Sequence, residues 1–272
     1  MPDDSWAVLA DAFVDGAYAT VKGRVRTHVL HEQLLRHLPA PPATVLDVGG
    51  GAAHQSLPLA RLGYEVTVVD PSEAMLAKAE QRLTDEPVEV RRRVRLVQGH
   101  GESAREAVDG ESFNAVLCHG VLMYLPEPEP MIESLCRCVA PGGLLSLMAL
   151  NRQTLAVRPG LEGRWTEALA ALDATGEVGV LGTDTRADTV EELSELMVRG
   201  HVDPVAWYGV WLFVDWLDLP LDSTDVLAVA AVELQASMRD PYRQLSRVFH
   251  LSGTRHKQPS RCPVRLGILI CR

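Results

Sequence analysis

Three glycines follow a predicted strand and precede an acidic residue at a spacing suited to binding a ligand. Residues Thr44–Val48 are short, apolar and rich in β-branched side chains, which predicts a buried strand, and Gly49-Gly50-Gly51 comes directly after it. Glycine permits positive φ and lets a ligand approach the bare backbone. A second predicted strand, residues 65–69, ends on Asp70, about 20 residues further on, where a carboxylate can hydrogen-bond both hydroxyls of a ribose. This combination favours a nucleotide-type site over a simple tight turn.

The two common phosphate-binding motifs are absent from this turn. A G-x-G-x-x-G fingerprint would need glycine at His54, and a P-loop would need Gly-Lys-Ser/Thr where Gly51 is followed by Ala-Ala-His. The pattern Asp47-x-Gly49-x-Gly51 instead resembles the first motif of class I S-adenosylmethionine (SAM) methyltransferases, with Ala53 at the position of the family's third glycine. The resemblance makes Asp47, like the glycines, a candidate cofactor-binding residue. That cofactor carries no phosphate, so the resemblance implies close backbone approach rather than an anion hole.

Further candidate ligand residues follow other predicted strands at the same edge. Pro71 comes directly after Asp70. The loop after strand 94–98 contains Gly101-Glu102, whose acid could accept from an adenine amine or simply cap a helix. His119 follows the strand of residues 113–118; an isolated histidine is more often structural, but its place at a strand end keeps a cofactor or catalytic role open.

The alternation of strands and helices predicts the architecture. We expect an α/β fold with a doubly wound, Rossmann-like, mostly parallel seven-stranded sheet, helices on both faces and an inserted lid. Helices are expected over residues 6–14, 18–38 and 52–62, a strand in the aromatic-rich stretch 205–217, and a final antiparallel strand within 242–254. The expected units are an N-terminal helical cap (1–40), a SAM-binding Rossmann-like core (41–150), a lid (151–204), C-terminal elements completing the sheet (205–257) and a tail (258–272).

Composition and charge limit the class of protein. With 272 residues, 47% of them hydrophobic, the chain can bury one large core, and no apolar run is long enough for a membrane span. The acidic start Met1-Pro2-Asp3-Asp4 is unlike a signal peptide, and the five cysteines lack metal or disulfide spacing. We therefore expect a cytoplasmic monomer or homodimer that binds neither metal nor membrane.

The net charge of −10 is concentrated in one segment. Residues 161–240 hold sixteen acids and four arginines, whereas the rest of the chain is slightly basic. An acidic segment repels a phosphate backbone, which is bound through lysine and arginine. This distribution favours a small-molecule partner over nucleic acid.

Longer stretches resemble the bacterial tRNA 5-carboxymethoxyuridine methyltransferases. They are residues 17–26 (Ala-Tyr-Ala-Thr-Val-Lys-Gly-Arg-Val-Arg), 46–51, 117–122 (Leu-Cys-His-Gly-Val-Leu), 141–148 and 240–243. The resemblance implies that Arg26 binds the SAM carboxylate, that Gly49, Gly50 and Gly51 pass beneath the cofactor, and that Asp70 binds the ribose. It also implies that Gly101 and Glu102 lie at the adenine and that His119 lines the cofactor end of the cleft.

The chemistry expected is methyl transfer from SAM to oxygen, with S-adenosylhomocysteine as product. A carboxylate acceptor is already ionised and needs no general base, whereas a phenol or amine would, and His119 is then the nearest candidate. The first hypothesis is O-methylation of a small carboxylate or hydroxyl compound. The alternatives are methylation of 5-carboxymethoxyuridine in tRNA, a non-catalytic SAM-binding module and, less favoured, an oxidoreductase.

Overall fold

The computed structural model describes residues 18–179 and 182–257. The helix expected at 6–14 and the tail at 258–272 lie outside the described residues. Within them, the strands are β1 Thr44–Val48, β2 Glu65–Asp70, β3 Val94–Gln98, β4 Phe113–His119, β5 Val139–Leu150, β6 Gly176–Val178, β7 Asp184–Arg186, β8 Val202–Val210 and β9 Val248–Arg255.

Seven of these strands form one sheet in the order β3-β2-β1-β4-β5-β9-β8. Strands β1 to β5 pair in parallel, and β9 is antiparallel to both of its neighbours, β5 and β8. The predicted α/β class, the mostly parallel seven-stranded sheet and the antiparallel final strand are confirmed. The strand order reverses between β1 and β4, and in open α/β sheets ligands bind outside the carboxyl ends of the strands at that point.

Ten α-helices surround the sheet in the described part of the chain. They are α1 Val21–Leu35, α2 Ser56–Arg61, α3 Glu73–Thr84, α4 Val88–Arg91, α5 Ala104–Ala107, α6 Glu129–Cys138, α7 Val157–Leu161, α8 Trp165–Ala171, α9 Val190–Arg199 and α10 Val226–Ala236. None of the helices in these residues is long and apolar enough to span a membrane. Ser72 caps α3 by accepting from the Met75 N–H at 3.3 Å, as its sequence position predicts.

Apolar side chains cover both faces of the sheet. On β1, Val45 packs into the cluster on one face and Leu46 into the cluster on the other, and both are fully buried. Burial on both faces is typical of parallel strands between helices. A third cluster, which includes Val25, Met148 and Val248, fixes α1 across the β5–β9 end of the sheet. Helix α1 is thereby held against the strands that form the edge of the cleft.

Several predicted bounds of helices and strands are wrong. The helix expected at 52–62 begins only at Ser56, because Ala53 adopts a φ of +59° and the chain turns before the helix starts. Helix α1 is shorter at both ends than residues 18–38. Strand β5 begins at Val139, directly after helix α6, and its pairing with β4 is irregular near Phe113. Residues 242–245 form a 3₁₀ turn before β9.

The strand expected over 205–217 stops at Val210, because the next residues bond to a side chain instead of a neighbouring strand. Trp211 has a φ of +61°, which bends the chain out of the sheet. The carboxylate of Glu233 on α10 then accepts hydrogen bonds from three successive backbone N–H groups, those of Leu212, Phe213 and Val214, at 2.7–2.9 Å. This turn follows Trp211, which lines the cleft.

Candidate cofactor and acceptor site

A cavity of about 1430 Å³ opens at the carboxyl edge of β1, β2 and β4. Its lining residues fall into two groups, called here its two ends: the glycine turn with Asp70 and His119, and residues of helices α7 and α8 with Trp211. A single small-molecule site usually occupies about 300–1,000 Å³. The cavity therefore has room for two ligands.

The glycine turn and Asp70 form one hydrogen-bonded unit at the first end. Gly49 and Gly51 have φ values of +69° and +51°, which favour glycine. The Asp70 carboxylate accepts from the Gly51 N–H and from the Ser72 N–H, both at 2.9 Å. A Cβ on Gly50 would lie 2.8 Å from Cγ of Asp47. A side chain at Gly50 would therefore clash with Asp47, so the packing of the turn requires glycine there. The two hydrogen bonds hold the Asp70 carboxylate in a fixed orientation at the cavity wall.

Asp47 lies behind this turn and does not line the cavity. Its side chain is 2% exposed and accepts from the Ser56 hydroxyl at 2.5 Å. Burial raises its pKa to about 6, with a further contribution from the charge of Asp70, against the Ser56 hydrogen bond. The expectation that Asp47 contacts the cofactor therefore does not match its position, which supports the turn from beneath.

Arg26 lies over the same end of the cavity. Its Nη2 donates to the Tyr18 hydroxyl at 2.9 Å, and the Tyr18 ring stacks on His54 with centroids 3.7 Å apart. Burial lowers the pKa of His54 to about 3, with smaller contributions from Arg82 and Arg26, so this ring stays neutral. The buried Nε of Arg26 has no hydrogen-bond partner within the described residues. A half-buried guanidinium whose buried Nε–H is unpaired is suited to an incoming carboxylate.

His119 follows β4 and faces the same space. Its Nε2 is 2.8 Å from the Ser146 hydroxyl, and its buried Nδ1 has no partner among residues 18–179 and 182–257. Burial, with a smaller contribution from the charge of Arg26, lowers its pKa to about 3. The imidazole is therefore neutral and can accept a hydrogen bond from a ligand.

The remaining predicted residues line the cavity beyond Asp70. Pro71, Gly101 and Glu102 lie there, at the ends of β2 and β3. A Cβ on Gly101 would lie 2.3 Å from Cε of Met131 and 2.8 Å from Cγ1 of Val48, so a larger residue there would have to displace packed side chains. The structure thus places all the predicted site residues except Asp47 around one cavity.

The opposite end of the cavity is rich in cations that the sequence did not single out. Lys22, Arg158 and Arg247 lie close enough for Arg158 and Arg247 to lower the pKa of Lys22 by mutual repulsion, after the larger effect of burial. Burial also lowers the pKa of Arg247 to about 10. Lys22 pairs with the buried Asp215, and Arg247 pairs with Glu177 on β6. Nη1 of Arg247 is buried and has no partner in the described part of the chain.

Trp211 contacts Lys22 and Arg26, one residue from each end of the cavity. Its indole N–H donates to the Lys22 carbonyl at 2.9 Å, and its ring lies 4.4 Å from Lys22 Nζ and 5.8 Å from Arg26 Cζ. Lys22 could have been anticipated from the basic cluster at the start of α1, which in isolation is typical of a solvated face. No local pattern identifies Arg247 or Arg158, because strand β9 and the lid bring them here from distant parts of the chain.

The chain resembles known methyltransferases in sequence. Residues 46–147 match the family described as "Methyltransferase domain". The tRNA 5-carboxymethoxyuridine methyltransferase of Escherichia coli (strain K12) is 24% identical over 257 residues, which cover 93% of this chain and 97% of that protein. The ubiquinone biosynthesis O-methyltransferase of Xanthomonas campestris pv. campestris (strain B100) is 31% identical over 149 residues, which cover 55% of this chain and 60% of that protein.

Solved structures share the fold. Magnesium protoporphyrin IX methyltransferase (ChlM) from Synechocystis PCC 6803, with bound SAH, superposes with a TM-score of 0.60 at 16% identity and covers 93% of this chain and 100% of its own. The glycopeptide N-methyltransferase MtfA complexed with SAM has a TM-score of 0.54 at 17% identity, covering 85% of this chain and 94% of its own. Fold, domain match and cleft together define a class I SAM-dependent methyltransferase. The methyltransferase domain of this chain accordingly uses SAM as its cofactor.

Proposed function

We propose that this methyltransferase transfers the methyl group of SAM to the carboxylate of an acceptor and so forms a methyl ester. The observation that carries the proposal is the cation cluster of Lys22, Arg158 and Arg247 at the end of the cavity away from the glycine turn. Only two buried or half-buried acids, Asp215 and Glu177, pair with these cations among the described residues. Glu162 also reaches Arg158, but its side chain is 47% exposed and is shared with Arg164.

One positive charge in this cluster therefore lacks a buried counter-charge. An uncompensated charge in a low-dielectric cavity attracts a ligand of opposite sign, and guanidinium groups bind carboxylates through directed hydrogen bonds. The flat face of Trp211 beside the cluster offers a surface for an apolar or planar part of the acceptor. A carboxylated acceptor matches both features.

For the cofactor, we assign the opposite end of the cavity. Gly49 to Gly51 would pass beneath it, Asp70 would accept from the ribose hydroxyls, Glu102 with Pro71 and Gly101 would border the adenine, and Arg26 would bind the carboxylate. Bound SAM supplies an electrophilic methyl group. The residues of this chain then contribute position and exclusion of water, because an ionised carboxylate attacks without a general base. With a hydroxyl acceptor, the neutral His119 would be the nearest base.

A small molecule is the acceptor that the charge distribution favours. Residues 161–240, which include helix α8 and strand β6 beside the cavity, hold sixteen acids against four arginines, and this excess of negative charge would repel a phosphate backbone. The second candidate is 5-carboxymethoxyuridine within tRNA, and the likeness to the Escherichia coli enzyme over 97% of its length supports it. Both candidates share a carboxylate acceptor.

The test uses SAM labelled in its methyl group. The protein is incubated with a set of small carboxylic acids, with free 5-carboxymethoxyuridine nucleoside and with tRNA that carries this nucleoside. We expect label that mild alkali releases as methanol, because an ester hydrolyses whereas a methyl ether or methylamine does not. Label that survives alkali contradicts ester formation. Transfer to tRNA alone, weakening steeply with salt, would favour the second candidate.

A further inference from the structure

A chain of buried hydrogen bonds runs from His119 through the sheet to helix α1. The Ser146 hydroxyl on β5 lies 2.8 Å from His119 Nε2 and 2.8 Å from Nε2 of His250 on β9. His250 Nδ1 lies 3.0 Å from Oε1 of Gln33, and the Gln33 amide donates to the Gly209 carbonyl at 3.0 Å. Gln33, Ser146 and His250 are each fully buried. Because each group has a limited set of donors and acceptors, the chain of bonds fixes where the protons lie.

Gln33 determines which groups donate and which accept along this chain of hydrogen bonds. A backbone carbonyl can only accept, so the amide NH₂ of Gln33 must face Gly209, and its Oε1 must face His250. Since Oε1 can only accept, the His250 nitrogen opposite it, Nδ1, carries a hydrogen. Burial, with the neighbouring His119 and His37, lowers the pKa of His250 well below its ordinary value. His250 is therefore neutral, and its Nε2 is a lone pair.

The lone pair on His250 Nε2 fixes the orientation of the Ser146 hydroxyl, and this in turn fixes the tautomer of His119. If Ser146 directed its hydrogen at His119, two lone pairs would face each other across the 2.8 Å between its oxygen and His250 Nε2. The Ser146 hydroxyl therefore donates to His250, and its oxygen accepts from His119. His119 must then carry its hydrogen on Nε2, which leaves Nδ1 as a lone pair. The same Nδ1 is the buried nitrogen that no described residue contacts through a hydrogen bond.

We propose that Gln33, His250 and Ser146 act as positioning residues that hold His119 as its Nε2–H tautomer, so that Nδ1 accepts a hydrogen bond from the α-ammonium group of the cofactor. Next to it, Arg26 offers an unpaired Nε–H, a donor. A buried donor and a buried acceptor close together match the carboxylate and ammonium of an amino-acid head group. The assignment of the ammonium rests on the proposed cofactor placement, but the tautomer itself does not.

The experiment measures the ¹⁵N chemical shifts of the His119 ring by NMR in protein without ligand, with His119 assigned by its loss in His119→Gln. In the wild-type protein we expect a single neutral Nε2–H tautomer. Ser146→Ala and Gln33→Met each break the chain and should give a mixture of the two tautomers. Both variants should also weaken SAM binding by about three- to tenfold, the effect of one modest hydrogen bond.

Ser252→Ala is the matched control. The Ser252 hydroxyl also lies 3.3 Å from His250 Nε2, but no hydrogen bond links it to His119. Its removal should leave both the His119 tautomer and SAM affinity unchanged. An Nδ1–H tautomer in the wild type, or an unchanged tautomer in folded Ser146→Ala, overturns the proposal. An Nε2–H tautomer in the wild type, together with a SAM affinity that Ser146→Ala does not change, would support the tautomer assignment. It would exclude the ammonium group as the partner of His119 Nδ1. If Gln33→Met fails to fold, the wild-type and Ser146→Ala spectra decide.

Discussion

The backbone N–H of Gly51 donates to Oδ2 of Asp70 at 2.9 Å, across 19 residues of chain. This bond ties the turn after β1 to the end of β2, and the Ser72 N–H holds the other carboxylate oxygen. The two features that stand out in the sequence are therefore one physical unit. Its geometry depends on a charged acceptor with both oxygens engaged.

Replacing that acceptor should weaken cofactor binding. In Asp70→Asn, one of the two backbone N–H groups loses its acceptor oxygen and the ribose loses a charged one. We expect the Kd for SAM, measured by calorimetry, to rise about tenfold or more, which corresponds to about 1.4 kcal/mol. Asp85→Asn, at an exposed helix end, should bind like the wild type. Equal affinity in Asp70→Asn would exclude the carboxylate from the site.

The glycine turn should not tolerate even one methyl group. A Cβ on Gly50 would meet both Asp47 Cγ at 2.8 Å and Val68 Cγ1 at 2.9 Å. Gly50→Ala should therefore displace the turn, lower the stability by about 1–3 kcal/mol and weaken SAM binding at least tenfold. Gly160→Ala is the control, because its Cβ would have an ordinary contact of 3.8 Å in helix α7. A Gly50→Ala protein with unchanged melting temperature and affinity would show that the turn is not packed as described.

The buried Asp47 should make stability depend on pH. Its pKa is raised from 3.8 to about 6, so the folded protein holds the proton more tightly than the unfolded chain. The stabilisation from this proton is present below pH 4 and is lost as the pH rises through 6, by roughly 3 kcal/mol for a shift of two pKa units. Asn cannot ionise.

Thermal unfolding of Asp47→Asn and wild type at several pH values tests this. We expect the melting temperature of the variant, relative to the wild type, to be higher at pH 7.5 than at pH 4.5. The difference between the two melting temperatures cancels the contribution of the other titrating acids, which the two proteins share. A difference that does not change with pH would mean that Asp47 is ionised in the folded protein throughout this range.

Glu177 should oppose binding of an anionic acceptor. It pairs with Arg247 at the proposed acceptor end and adds a negative charge to the cavity wall. In Glu177→Gln, we expect the KM for a carboxylated acceptor to fall severalfold with the Kd for SAM unchanged, since a buried or half-buried charge is weakly screened. Glu195→Gln, on the exposed side of α9, should leave both constants unchanged. A higher KM in Glu177→Gln would instead mean that Glu177 orients Arg247 for the acceptor.

The residues assigned to the cofactor could be singled out from the sequence, whereas those assigned to the acceptor could not. The glycines, Asp70 and His119 directly follow or terminate predicted strands, and the carboxyl ends of parallel strands meet at one edge. The three cations come from distant parts of the chain: Lys22 from α1, Arg158 from α7 and Arg247 from the position before β9. Their proximity therefore depends on tertiary packing. The bend at Trp211 depends on Glu233, whose hydrogen bonds to the following backbone no local pattern reveals.

We propose one cavity that holds SAM at the Arg26 end and a carboxylate at the Lys22–Arg158–Arg247 end. Calorimetric titration of SAM into wild type, Arg26→Met and Arg158→Met distinguishes the two ends. We predict that Arg26→Met loses at least tenfold in affinity, because the cofactor carboxylate loses its guanidinium partner, and that Arg158→Met binds SAM like the wild type. Equal affinity in all three proteins, or a loss confined to Arg158→Met, would contradict this division of the cavity.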